Sequence, residues 1–422
     1  MIGRERQTAI YLGGVGGRRP RVPLDPDRLE AAAAKAMRAD AFAYVKAGAG
    51  TEDTVRENRA AFARHRIVPR MLRGVERPDA SVELFGRRLD SPFLLAPVGV
   101  LELAHREADV AVARAARRTG VPMIFSNQAS RPMEECAAEL GESPRWFQLY
   151  WSTSDELVES LVGRAEACGC EAIVLTLDTT IVGWRPRDLE PAFLPFLRGQ
   201  GIAQYTSDPV FRRLMAAGPS GNGSPQPQPP PTPAALRTLV ALTRAYPGSF
   251  WRNLSSGDGR AAVQRFTEIF SRPSLSWEDL PFLRERTKLP ILLKGILHAD
   301  DARRALDAGI DGIVVSNHGG RQVDGAIATL DAVPAVAAAV DGRVPVLLDS
   351  GIRGGADAFK ALALGASAVL VGRSFVYGLA VAGEAGVKEV LDNLRAELDL
   401  TMALAGCGSL AEVGPETLER VG

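Results

Sequence analysis

From about residue 90 onward, short and nearly continuous apolar runs alternate with longer stretches in which apolar residues recur at helical spacing. The apolar runs predict strands at 93–98, 122–126, 146–149, 172–178, 289–294, 312–316, 346–349 and 368–371. The stretches between them predict helices, among them 107–119, 154–167, 300–308 and 354–364. Strands that are apolar on both faces and separated by amphipathic helices belong to a parallel sheet covered on both sides. Eight such units predict an α/β fold, a closed (β/α)8 TIM barrel, whose core takes about 250 residues. A doubly wound open sheet is the alternative, and the strand count disfavours it.

These strands share one habit: they end in polar residues. They run into Asn127 and Gln128, Gln148 and Tyr150, Asp178 and Thr179, Lys294, Asn317 and His318, Asp349, and Arg373. In a barrel, the C-terminal strand ends and the loops after them build the active site. Polar side chains after almost every strand therefore predict an enzyme whose site is assembled from the whole ring.

Two segments stand outside the repeat. Residues 1–90 predict an N-terminal arm, then a helix over 29–44 broken at Ala47-Gly48-Ala49-Gly50. Residues 179–275 interrupt the barrel after its fourth strand and read as a lid insertion, with helical signals at 210–216 and 234–246. Within it, 218–233 (GPSGNGSPQPQPPPTP) predicts a disordered spacer, with a polyproline-II ligand as the alternative. The barrel proper is expected over 91–405, followed by a C-terminal tail at 406–422.

Composition narrows the function. The 422 residues carry 50 Lys+Arg against 50 Asp+Glu, so no excess of charge calls for a nucleic-acid or anionic-membrane partner. No apolar run approaches the roughly 18 residues a bilayer requires, and the N-terminus lacks a signal-peptide core. Four scattered cysteines make no disulfide framework and no metal site, which predicts a reduced, cytoplasmic setting. Only six of the basic residues are lysine, so a lysine in an unusual place draws notice.

One such place is Lys294, a cation at the end of a buried strand, suited to stabilising localised negative charge or to a structural ion pair. In Ser316-Asn317-His318-Gly319-Gly320-Arg321, His318 can act as a base near neutral pH, or simply start a helix, and Arg321 can clamp a carboxylate. Asp349-Ser350-Gly351-Ile352-Arg353-Gly354-Gly355 and Val371-Gly372-Arg373 end strands seven and eight, where barrels often bind phosphate. By contrast, Gly13-Gly14-Val15-Gly16-Gly17 has no strand before it and reads as a flexible arm rather than a dinucleotide loop. His65 and His105 read as surface or packing residues, and His298 as a helix-start residue.

Taken together, these motifs resemble the FMN-dependent α-hydroxy-acid oxidases and dehydrogenases, over about residues 40–405. The likeness rests on Pro97-Val98-Gly99, Gln148-Leu149-Tyr150, Thr176-Leu177-Asp178-Thr179, Lys294-Gly295, the His318 motif, Asp349 to Arg353, and Gly372-Arg373. Within the family, GWRPRDL at 183–189, PFLRG at 195–199 and the long insertion are similar to the lactate 2-monooxygenase branch.

The resemblance implies roles. His318 would be the base, oriented by Asp178; Arg185 and Arg321 would hold the substrate carboxylate, assisted by Tyr44 and Tyr150. Lys294 would lie near flavin N1 and O2, and Pro97, Val98 and Gly99 at the N5 edge. Ser126, Gln148, Thr176 and Ser316 would contact the ring or ribityl chain, Asp349 the ribityl hydroxyls, and Gly351, Arg353, Gly372 and Arg373 the phosphate end. The implied activity is oxidation of a small (S)-2-hydroxy acid by O2 through FMN, with or without oxidative decarboxylation, in a homotetramer or octamer. Transfer of electrons to a carrier or quinone is one alternative, and a non-catalytic flavin-binding partner protein another. Two departures bear on the substrate. Gln128 and Ser130 stand where family members present larger apolar groups, implying a bulkier or more polar substrate. Gly99 replaces an alanine, implying free space near N5.

Overall fold

A computed structural model describes residues 1–217 and 232–421. Most of the predicted spacer at 218–233 lies outside the described residues; its last two, Thr232 and Pro233, open a helix, Pro233–Ala245, with the Thr232 hydroxyl capping Ala235.

Eight parallel strands close into a barrel: β1 Phe93–Leu95, β2 Met123–Phe125, β3 Arg145–Leu149, β4 Ile173–Thr176, β5 Ile291–Ile296, β6 Gly312–Val315, β7 Val346–Leu348 and β8 Ala368–Val371. Closure is made by β8 on β1, pairing Val369 with Phe93 and Val371 with Leu95. Each strand lies where the apolar runs predicted it, and several stop short because the polar residue that follows leaves the ladder.

The two-residue period of a strand divides its side chains between two cores. Outward residues such as Phe93, Phe147, Leu175, Leu293 and Val315 pack beneath the helices. Inward residues fill the barrel itself: Leu94, Ile124, Trp146, Val174, Leu292, Val314, Leu347 and Leu370. A hairpin of Val82–Leu84 and Arg87–Leu89 closes the lower end, with Phe85 against Trp146 at 5.5 Å between ring centroids. Two residues further up, the same inward register turns polar. Ile124 is followed by Ser126, Trp146 by Gln148, Val174 by Thr176, Leu292 by Lys294, Val314 by Ser316 and Leu347 by Asp349. A packed apolar plug with a polar upper layer is therefore written into one alternation.

The insertion after β4 contains the two predicted helices, Pro209–Ala216 and Pro233–Ala245. It also contains Phe250–Ser256 and Asp258–Ile269, which the sequence reading missed. Two N-terminal expectations need correction, and one helix there had no counterpart in them. The helix over 29–44 is two, Pro26–Ala36 and Ala39–Lys46, broken at Met37 and Arg38. The flexible arm is part of a helix, Ile2–Val15, seated on the long C-terminal helix by Gly3 N–H donating to Asp399 at 2.8 Å. A further helix, Asp53–Ala63, follows the glycine break. Residues 65–67 pair with Leu418–Arg420, tying the C-terminal segment beside the N-terminal one. Among the described residues no helix is long and apolar enough to cross a membrane.

Candidate active site

Above the apolar plug an open cavity spans the barrel mouth. Its wall mixes apolar side chains such as Pro97, Val98 and Phe266 with His318, Lys294 and several arginines, the make-up of a small-molecule site.

His318 is the first residue of the loop after β6 to face it. Its backbone is left-handed at φ 58°, followed by Gly319 and Gly320 at φ 68° and 76°. A Cβ on Gly320 would lie 2.8 Å from the Val55 nitrogen, so glycine is required there. Three anchors hold this unusual path. Ser316 Oγ accepts from His318 N–H at 3.1 Å, Ser350 Oγ from Gly319 N–H at 2.9 Å, and Asn317 Oδ1 from Gly320 N–H at 3.0 Å. Asn317 is itself locked in a reciprocal amide pair with Asn58, which the sequence reading missed.

The imidazole Nδ1 lies 2.7 Å from Asp178 Oδ1. Thr179 Oγ1 donates to the same carboxylate oxygen at 2.8 Å and lies 3.1 Å from Nδ1. Burial alone would raise the Asp178 pKa, but His318 and Lys294 outweigh it and hold the carboxyl well below its usual range. The His318 pKa is lowered too, but by burial, which pushes it below the ordinary 6.5; Lys294 and Arg185 push with it against Asp178. An empty-handed, neutral base is the resting state at neutral pH.

Lys294 sits beneath, with its side chain 4% exposed. Its ammonium lies 3.2 Å from Asp349 and 3.6 Å from Asp178, and donates to Ser316 Oγ at 2.9 Å. Burial would strip its proton; the two carboxylates reverse that and raise the pKa. The lysine is thus both of the things its position suggested, an ion-pair partner and a fixed cation facing the cavity. A bulge in the β5–β6 pairing at Lys294 and Ile296, with Gly295 at φ 115°, frees the chain here.

The rim is built by Tyr44, Tyr150, Arg185 and Arg321. Burial pushes the Tyr150 hydroxyl up to about 12, which keeps it a neutral donor. Arg321 gives Nη1 to the carbonyls of Tyr44 and Ala47 at 2.8 and 2.7 Å and lies over the Tyr44 ring. Arg185 is buried, and burial with Arg321 nearby lowers its pKa to about 10. At the far end are Gly351, Arg353, Gly372 and Arg373. Arg373 spends its guanidinium on the carbonyls of Val45, Lys46, Ala47 and Gly319, so in this structure it fixes two loops.

The other predicted residues divide cleanly. Pro97, Val98, Gly99, Ser126 and Asp349 line the cavity. Asp178, Gln148, Thr176 and Ser316 are absent from its wall and lie buried behind it. Gln148 Nε2 and Thr176 Oγ1 are buried with no hydrogen-bond partner, a costly state that a polar group lying on the barrel mouth would relieve. Two expectations about the substrate end fail. Ser130 faces away from the cavity, its Oγ accepting from Glu102 N–H and its N–H donating to Asp109. A Cβ on Gly99 would meet the Gln128 carbonyl oxygen at 2.9 Å, so this glycine admits the neighbouring loop rather than clearing room. Gln128 does line the cavity. The sequence reading also missed an apolar wall from the insertion: Val182, Leu194, Phe196, Phe266 and Phe270. The helical spacing of Ala262, Val263, Phe266 and Ile269 could have revealed it.

Known proteins agree with this geometry. Residues 33–420 match the family of FMN-dependent dehydrogenases. The chain belongs to that family. It is 42% identical over 390 residues to an L-lactate oxidase of Lysinibacillus sphaericus, covering 92% of this chain and 91% of the relative. It is 40% identical to an FMN-dependent alpha-hydroxy acid dehydrogenase of Penicillium citrinum, over 98% and 95% of the two chains. A crystal structure of mandelate oxidase with (S)-4-hydroxymandelic acid superposes with TM-score 0.76 at 38% identity, over 94% and 98%. FMN-dependent dehydrogenases need a bed for a flavin, and the unpartnered donors of Gln148 and Thr176, with Lys294 between them and Asp349, are of the right chemistry.

Proposed function

We propose that this FMN-dependent enzyme oxidises an (S)-2-hydroxy acid with a bulky, apolar side chain to the 2-oxo acid, with O2 as acceptor. The observation that carries the reading is His318, backed by Asp178, facing one cavity with two arginines, Arg185 and Arg321. Two guanidiniums fit a carboxylate, and a neutral imidazole fits the removal of a hydroxyl proton beside it. Asp178 holds Nδ1 protonated, leaves Nε2 as the base, and stabilises the imidazolium that forms. Tyr44 and Tyr150 supply neutral hydrogen bonds to the carboxylate or hydroxyl. FMN supplies the two-electron acceptor when bound. Ser126, Gln148, Thr176, Ser316 and Lys294 would hold its ring, Asp349 its ribityl chain, and Gly351, Arg353, Gly372 and Arg373 its phosphate end, with Pro97, Val98 and Gly99 alongside.

The wall of Phe196, Phe266 and Phe270 supports an aromatic or long-chain substrate over lactate. The lid over the cavity supports retention of products. If the 2-oxo acid and hydrogen peroxide react before leaving, they give the shortened acid, CO2 and water. The proposed unit is the barrel at 91–405 with its insertion at 179–275, flanked by 1–90 and 406–422. All four cysteines are unpaired, which supports a reducing compartment such as the cytoplasm. Exposed Tyr11, Leu12 and Val15 on the N-terminal helix support assembly into a homotetramer or octamer.

An anaerobic screen tests the reading. Lactate, mandelate, 4-hydroxymandelate and longer 2-hydroxy acids are mixed with the yellow holoenzyme, and bleaching is followed. Bleaching by an (S)-acid, with aromatic acids fastest, is expected; no bleaching by any of them overturns it. On admitting air, CO2 identifies coupled decarboxylation and free peroxide a plain oxidase. A reduced flavin that air does not reoxidise assigns the electrons to a carrier or quinone.

A further inference from the structure

Two loops build the acid–base end of the cavity. The strap 177–185 leaves β4 with Asp178, Thr179 and Arg185; the loop after β6 carries His318 and Arg321. They are joined by one side chain that the functional reading leaves without a role, Gln322.

Its amide is saturated. Nε2 donates to the carbonyls of Asp178 at 2.6 Å and Ile181 at 2.7 Å. Oε1 accepts from Gly183 N–H at 3.3 Å and from Arg185 Nη2 at 2.6 Å. A primary amide has two donor hydrogens and two acceptor sites, and here all four are used on one strap. The strap closes this tightly because residue 183 is glycine. A Cβ there would lie 2.6 Å from the carbonyl oxygens of Arg321 and Gln322. Arg185 is fixed from the same place, its Nε donating to the Arg321 carbonyl at 2.9 Å. Arg185 therefore owes its direction to the 321–322 segment; its acidic neighbour Asp188 is 3.9 Å away.

We infer that Gln322 is a positioning residue that presents Arg185 to the substrate carboxylate and roots the lid on the loop of the base. The inference rests on the proposed 2-hydroxy-acid site. Carboxylate affinity and lid order are then set by the same amide. Gln322→Leu removes all four bonds. Gln322→Glu keeps acceptors for Arg185 but sets an anion against the carbonyls of Asp178 and Ile181 and neutralises the arginine.

Both variants are purified as holoenzymes, their flavin content and thermal midpoints are recorded, and Gln322→Asn is carried as a second amide. Three quantities are read: KM against the rate of flavin reduction at saturation, the Kd of a 2-hydroxy acid lacking hydrogen on C2, and amide hydrogen exchange in peptides covering 178–185. Gln322→Leu should raise KM and Kd at least tenfold, lower the saturated reduction rate less than threefold, and speed exchange in the strap. Gln322→Glu should bind as weakly or worse at neutral pH and recover affinity as pH falls and its carboxyl regains a proton, a response that a packing defect does not produce. Unchanged KM and exchange in Gln322→Leu, or a Glu variant whose affinity ignores pH, overturns the inference. If the wild type neither bleaches with nor binds any 2-hydroxy acid, the functional reading fails instead, and strap exchange still decides whether Gln322 roots the lid.

Discussion

His318 Nδ1 lies 2.7 Å from Asp178 Oδ1, so an imidazole delivered after the sixth strand is oriented by a carboxylate delivered after the fourth. Because burial holds the His318 pKa below 6.5, the acid limb of kcat/KM is expected below pH 6.5. Asp178 is the main influence holding that pKa up. Asp178→Asn should therefore move the limb to lower pH, while removing support for the imidazolium cuts the plateau by about 10²–10⁴. A pH profile of both enzymes checks this; a limb that moves upward contradicts the assignment.

Thr179 touches both members of the pair. Removing its hydroxyl leaves the Asp178 oxygen one donor short. Thr179→Val is expected to lower kcat by about tenfold, the worth of roughly one hydrogen bond to a charged group. Thr179→Ser should restore most of it. Equal loss in both variants would make the methyl, not the hydroxyl, the contributor.

Much of this was legible in the chain. The barrel could be read because its strands are buried on both faces and its helices on one, which prints two different periods. The polar ring could be read because Gln148, Thr176, Lys294 and Ser316 continue an inward register two residues above the plug. What could not be read came from contacts distant in sequence. Nothing near Asn317 announces that Asn58, 259 residues away, will pair with it. Ser130 looked substrate-facing from position alone, and its loop turns it elsewhere; Gly99 does line the cavity, but the Gln128 loop fills the space beside it. The insertion's aromatic wall was hidden because Phe196 and Phe266 come from separate segments of the insertion that meet only in the fold.

That wall offers a test of substrate size. Phe270 is half-buried, stacks on Phe266 at 5.0 Å, and lines the cavity. Phe270→Ala is expected to cut kcat/KM for an aromatic 2-hydroxy acid by about 10–200-fold, the worth of an apolar contact of roughly 1–3 kcal/mol. Lactate, too short to reach the wall, should be affected much less. Steady-state comparison of the two substrates decides it, and parallel losses would remove Phe270 from specificity.

Asp109 supplies a prediction about stability. Its fully buried carboxyl accepts from Ser130 N–H, and burial pushes its pKa from 3.8 up to about 7, with Glu102 adding to the rise. Between these values the folded protein keeps a proton that the unfolded chain gives up. The stabilisation is therefore complete below about pH 4 and is lost as pH rises through about 7. Asp109→Asn keeps the acceptor and cannot ionise, so its advantage over the wild type should grow from pH 5 to pH 8, on the order of a few kcal/mol. Thermal midpoints at the two pH values measure it; a constant gap would place the ionisation elsewhere.

The hairpin of Val82–Leu84 and Arg87–Leu89, with Trp146 and its neighbours stacked above it, leaves no passage through the underside of the cylinder. A coenzyme or substrate would therefore be admitted from the opposite face, where Leu194, Phe196 and Phe266 of the insertion line the cavity.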